Sequence, residues 1–451
     1  MKRRLFATTA VVGLCAALGV TPVYAESMID ALTEAYQANP TLNRARALLR
    51  QTDENVPRAL SGWRPTVTVT GSAGLERAKS DNREEQDLTP LSGSLQLTQP
   101  IYQGGRTVYG TRQAESEILA DRAFLRTTEQ DVLLGTITAY MNVLRDQARV
   151  QLTTNNERVL ERQLEATRDR FEVGEVTRTD VAQAEARLSR AISGRIAAES
   201  DLGTSSANYE NFVGRPPGNL DPAPPLPELP QSVQDALSLA LIENPELETA
   251  LRNEDAAKHS VRVAVGSLLP SVSIVGRIDR TDETATEDIG FRSESITAQL
   301  TVPLYQSGSV YSDVRRAKEL RSQRRVEIEQ SRRGVTEDVT SAWEVLVSAT
   351  SQIESFREEV RANEIALEGV QQESEVGART VLDVLDAEQE LLDAQVNLVI
   401  AERDEYVAAY SLFAAMGQLS ARNLSLPVEL YDPARHANEV RNKWFGADVP
   451  E

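Results

Sequence analysis

Thr380-x-x-Asp383 is followed one helical turn later by Asp386. Two carboxylates three residues apart lie on one face of a helix. Crowded together they repel, which raises their pKa values or collects cations among them. The same residues also read as a helix start, with a hydroxyl at the N-cap and an acid three positions on. The chain writes this start twice, as Thr177-x-x-Asp180 and Thr380-x-x-Asp383, 203 residues apart. Val-Gly precedes each, and Gly174 and Gly377 are the helix-stop signals. The extra acid occurs once: Gln183 stands where the first copy would match Asp386.

Other reactive side chains are scarce. His259 and His436 are the two histidines, and neither has partners at metal-ligand spacing. No phosphate-binding loop, dinucleotide fingerprint or nucleophile elbow occurs. The sequence therefore predicts no enzyme, no cofactor and no metal site. A net charge of -20 argues against a nucleic-acid partner, because phosphate binding needs a basic footprint. The single cysteine, Cys15, lies in an apolar run behind Lys2, Arg3 and Arg4, and Val23-Tyr24-Ala25 follows. This pattern predicts a signal peptide over residues 1–25, leaving a mature chain without thiols.

The elements that carry the acids are themselves duplicated. Asn39-Pro40 returns as Asn244-Pro245, "RPTVTVTG" as "LPSVSIVG", and "QPIYQGG" as "VPLYQSG". The expected organisation is a first repeat over 26–213, a proline-rich linker over 214–230, a second repeat over 231–418 and a tail over 419–451. Within each repeat the order is short helix, helix, two strands, very long helix, turn and return helix. The strands alternate: Val67 and Val69 against Thr66, Thr68 and Thr70, then Leu95 and Leu97 against Ser94 and Gln96. Val272 and Ile274 oppose Ser271 and Ser273 in the second copy, and Ile296 and Leu300 oppose Thr297 and Thr301. The polar stretches between paired strands are expected to be hairpin loops.

The stretch from Gly105 to Phe171 lacks proline, and ~67 helical residues at ~1.5 Å each reach ~100 Å. Sevenfold spacing supports a supercoil: Ile118, Leu125, Val132 and Ala139 in one helix, Val339, Leu346 and Ile353 in its counterpart. Ala184, Ala191 and Ala198 keep that period with small side chains. After the signal no apolar run could span a membrane as a helix. The amphipathic strands could pack on helices in a soluble protein, or stand in a membrane with one face to lipid. Four strands close no barrel alone, so the membrane reading requires oligomers.

The twofold repeat, the two "PxYQ" junctions and the turn sequences "FEVGEVTRTDVAQAEA" and "SEVGARTVLDVLDAEQ" resemble the TolC family of outer-membrane efflux proteins. That resemblance implies a mainly α fold with membrane β. Three chains would give four strands each to a twelve-stranded outer-membrane barrel, continued by a coiled-coil tunnel into the periplasm. It implies a passive duct in efflux or type I secretion. The implied partners are outer-membrane lipid, a periplasmic adaptor and an inner-membrane pump or ABC transporter. Pro100 and Pro303 would mark the strand-to-helix junctions. Asp383 and Asp386 would form acidic rings at the periplasmic constriction, and Thr179, Asp180 and Arg379 would link neighbouring helix pairs in the closed state. Ser374 replaces a tyrosine of that network, so its link would be lost or remade through Arg178. The rival readings are a soluble periplasmic coiled-coil scaffold or adaptor, which leaves the strands unexplained, and a stand-alone porin, which leaves the helices unexplained.

Overall fold

The computed structural model describes residues 26–80, 83–284 and 289–448. The expected signal peptide lies outside them. The first copy opens with α1 (Met28–Ala38), α2 (Pro40–Asp53) and α3 (Asn55–Leu60). Next come β1 (Thr66–Ala73), β2 (Glu76–Ser80), β3 (Arg83–Leu88) and β4 (Leu91–Gln103), then α4 (Arg106–Glu172) and α5 (Arg178–Val213). The second copy runs α6 (Val233–Glu243), α7 (Pro245–Gly266), β5 (Ser271–Asp282), β6 (Gly290–Thr301), α8 (Ser309–Glu375) and α9 (Val381–Ala415). A short α10 (Arg435–Val440) follows.

The two long helices, α4 and α8, have 67 residues each. Their seams are buried as the sevenfold spacing requires: Ile118, Leu125, Val132 and Ala139 on α4, Val339 and Ile353 on α8. Ala184, Ala191 and Ala198 of α5 are buried as well, their small side chains letting α5 lie close against α4. The duplicated Asn-Pro does the same work in each copy. Asn39 caps α2 and donates to the Phe212 carbonyl at 3.0 Å; Asn244 caps α7 and donates to the Ala415 carbonyl at 2.9 Å. Each asparagine thereby ties the start of its repeat to the end of the return helix.

Four strands form one antiparallel sheet in the order β1-β4-β5-β6. In register, Val67, Leu97, Gly276 and Ile296 form one cross-strand row, and Val69, Leu95, Ile278 and Glu294 form the next row on the same side. Thr68, Gln96, Arg277 and Ser295 form a row on the opposite side. The polar stretch after β1 is more than a loop: β2 and β3 pair as a separate ribbon, with Arg77 bonded to Asp87 at 2.6 Å. Pro100 is also displaced from its expected junction. It lies inside β4 opposite Ser273, and the register shifts between Pro100 and Tyr102. A proline cannot donate to the ladder and so favours such a bulge. The extra residue carries Tyr102 to the apolar side, opposite Val272. Pro303 lies between β6 and α8, after the strand has ended at Thr301.

The linker and the final segment are packed. Leu220 bridges to Glu26, and the Tyr140 hydroxyl donates to the carbonyls of Glu26 and Asp221. Leu419, Ala421 and Leu426 join the core formed by α1, α2, α4 and α5. His436 is buried against Asp53 at 3.1 Å, and Arg441 reaches Glu115 at 2.6 Å. His259 stacks on Tyr109. Neither histidine stands in a group of side chains able to hold a metal among the described residues.

Candidate functional site

The two helix turns lie side by side. Each begins with a left-handed glycine that ends a long helix. Gly174 has φ +79° and Gly377 φ +77°, a region costly for any residue with a Cβ. Glu175 N–H donates back to the Arg170 carbonyl and Ala378 N–H to that of Glu373, both at 2.9 Å, which closes the last helical turn. Ser374 contributes its carbonyl to Gly377 N–H at 3.1 Å.

Both return helices start with a capping box. Thr177 N–H and hydroxyl donate to Asp180 Oδ2 at 2.7 and 2.8 Å. Thr380 does the same to Asp383 at 2.9 and 2.8 Å. These bonds hold the Asp383 carboxyl below its ordinary range: the Thr380 N–H contributes most, then its hydroxyl, and Arg379 adds a smaller attraction. In the single chain the direction is thus opposite to the rise expected where copies converge, because satisfied hydrogen bonds favour the carboxylate. Asp180 is engaged with Thr177 in the chain, and Thr179 is exposed beside it.

Two partners were not legible beforehand. Arg379 Nε donates to Glu373 Oε2 at 2.8 Å, across its own turn. Asp386 accepts from Arg187 of α5, an ion pair that crosses from one repeat to the other. A comparison of matched positions gives the available signal: Arg187 corresponds to Glu390, 203 residues on, so charge is reversed between the copies at that point. Below these polar groups lies an apolar contact. Leu160, Leu164, Ala184 and Ala191 of the first copy pack with Val381 and Leu385 of the second.

The sheet is the second functional element. Its outermost strands, β1 and β6, each pair on one side only. Val69, Ile296 and Leu300 are 76%, 85% and 64% exposed in the chain by itself. The apolar rows run from Tyr102, Val272 and Leu300 to Val69, Leu95 and Ile278. Charge enters that last row at Glu294, opposite Ile278, and the rows stop at Arg280 opposite Arg292, where Arg280–Asp282 and Arg292–Glu294 ion pairs lie. Among the described residues no helix is long and apolar enough to cross a membrane.

The family described as "Outer membrane efflux protein" matches residues 31–215 and again 236–418. The chain is 36% identical over 427 residues to the outer membrane efflux protein BepC of Brucella suis, covering 94% of this chain and 93% of that protein. It is 26% identical to the outer membrane protein TolC of Escherichia coli, covering 89% and 84%. The alkaline protease secretion protein AprF of Pseudomonas aeruginosa is 25% identical, covering 77% and 74%. In fold, the CmeC outer membrane channel of Campylobacter jejuni superposes with a TM-score of 0.78 at 15% identity, covering 98% of both chains. The chain belongs to the outer membrane efflux protein family, as a channel protein of the outer membrane that extends into the periplasm.

Proposed function

We propose that three copies of this chain close a twelve-stranded barrel in the outer membrane, which their helices continue as an exit duct through the periplasm. The observation that carries the proposal is the four-stranded sheet with both edges open and its apolar face uncovered. Pairing β6 of one copy with β1 of the next removes every edge, the condition for a sheet to survive in hydrocarbon. From Val272 to Ile278 the apolar rows rise ~20 Å at ~3.4 Å per residue, close to the ~25 Å band of outer-membrane barrels. The opposite face, rich in Thr, Ser and Gln, then lines a wet lumen. Tyr102 sits at one margin of the apolar band; Phe291, opposite Thr281, falls in a row of the polar face instead.

The duct is passive. Cargo, whether small drugs or secreted protein, reaches it from an inner-membrane pump or ABC transporter through a periplasmic adaptor. The second-copy tips form its constriction, where Asp383 and Asp386 make acidic rings. Arg379, Thr179 and Asp180 link neighbouring copies in the closed state, with Ser374 too short to join them. The trimer is tested by crosslinking protein extracted from outer-membrane fractions. A ladder ending at three chains is the expected result, and a species that stays at one chain contradicts it.

A further inference from the structure

We infer that Arg187 sets the charge of the constriction by neutralising one of its two acidic rings; this rests on the gate reading above. Arg187 lies on α5, in the first repeat, yet its guanidinium donates to Asp386 Oδ1 on α9, in the second. The Arg187 side chain is 24% exposed and Asp386 51%, so the pair sits at the edge of the buried contact between hairpins, facing solvent on the acid's side. Ala184 and Ala191, one turn away on either side of Arg187, belong to that buried contact. The guanidinium is therefore held in place by packing, and its position is not that of a free surface arginine.

The pairing has no mirror image. The residue matching Arg187 in the second copy is Glu390, and the residue matching Asp386 in the first is Gln183. Nothing in the repeat returns the favour, so the arginine is specific to the second-copy acid. Around a threefold axis the Asp386 carboxylates would each arrive with a cation attached. Asp383 accepts its hydrogen bonds from Thr380 and, among the described residues, makes no ion-pair contact; Arg379 attracts it more weakly and has its own ion pair with Glu373, so the Asp383 charge is left uncancelled. The constriction then carries the net charge of one ring of three carboxylates, where the sequence suggests two rings. Arg187 is thus a positioning and selectivity residue, acting on permeant cations through Asp386.

The test is block of the purified trimer in planar bilayers by hexaamminecobalt(III), with reversal potential in a salt gradient as a second readout. Arg187→Gln keeps the packing stem and frees three carboxylates, so block should tighten by about tenfold or more at low salt. Selectivity for cations should rise with it. Arg187→Gln combined with Asp386→Asn restores the net charge and should return block to within about twofold of wild type. A purely structural role for Arg187 would not predict that rescue. If Asp383→Asn relieves block while Arg187→Gln leaves it at the wild-type level, the inference is overturned and the gate stands. If Asp383→Asn leaves block unchanged, the gate reading itself fails.

Discussion

The two helix turns share a backbone and differ in charge. Both end on a left-handed glycine, and both restart with the same threonine and aspartate bonds. Across the hairpin, Arg168 pairs with Glu185 at 2.7 Å in the first copy, and at the matching positions Gln371 bonds Glu388 at 3.1 Å in the second. Burial pushes the Glu388 carboxyl up, with the Gln371 bond opposing it. Asp386 replaces Gln183, and Glu390 replaces Arg187. One fold has thus been kept twice while positive charge drained from the second tip. Geometry needs the shared residues; the differing ones carry the charge contrast between the two tips.

The largest effect should come from the apolar contact that binds the two tips. Leu385 is 1% exposed, and it packs on Leu160 and Leu164 of the other copy. Leu385→Ala should cost ~2–5 kcal/mol, through lost burial and the cavity left behind. Hydrogen exchange of α5 and α9 amides near the turns would show it as faster opening in both copies. Fast exchange confined to α9 would mean that the tips are independent.

Smaller and more even effects are expected at the caps. Thr177→Ala and Thr380→Ala each remove one N-cap hydroxyl, at ~1 kcal/mol of local helix stability. The same exchange measurement should give similar losses in the two copies, because the backbone roles are equivalent. Acid adds a further distinction. The folded pKa of Asp383 lies below its ordinary value of 3.8, so its cap is fully favourable above that value. It is lost as pH falls through the lower folded value. Protection of the first turn of α9 should therefore persist at pH 5 and fade well below pH 4.

These local features account for what the sequence revealed. Caps, glycine stops and sevenfold apolar spacing depend on neighbours within one or two turns, so Thr380, Gly377 and the Val339 seam were readable directly. Alternation likewise exposed the strands. Partners distant in the chain were not readable: Arg187 for Asp386, Asp53 for His436, and the core that receives Leu419 and Leu426. Pro100 misleads for a physical reason, since a strand can absorb a proline at a bulge as well as end there. The β2–β3 ribbon was hidden by its polarity, which resembles that of a loop.

In the proposed duct the second copy alone supplies the acidic constriction. Asp180 and Asp383 are equivalent as caps, so a direct test compares Asp180→Asn with Asp383→Asn in single-channel recordings with a trivalent cation. Asp383→Asn is expected to relieve block, and Asp180→Asn to leave it in place. Equal relief by both substitutions, or relief by Asp180→Asn alone, would contradict that expectation.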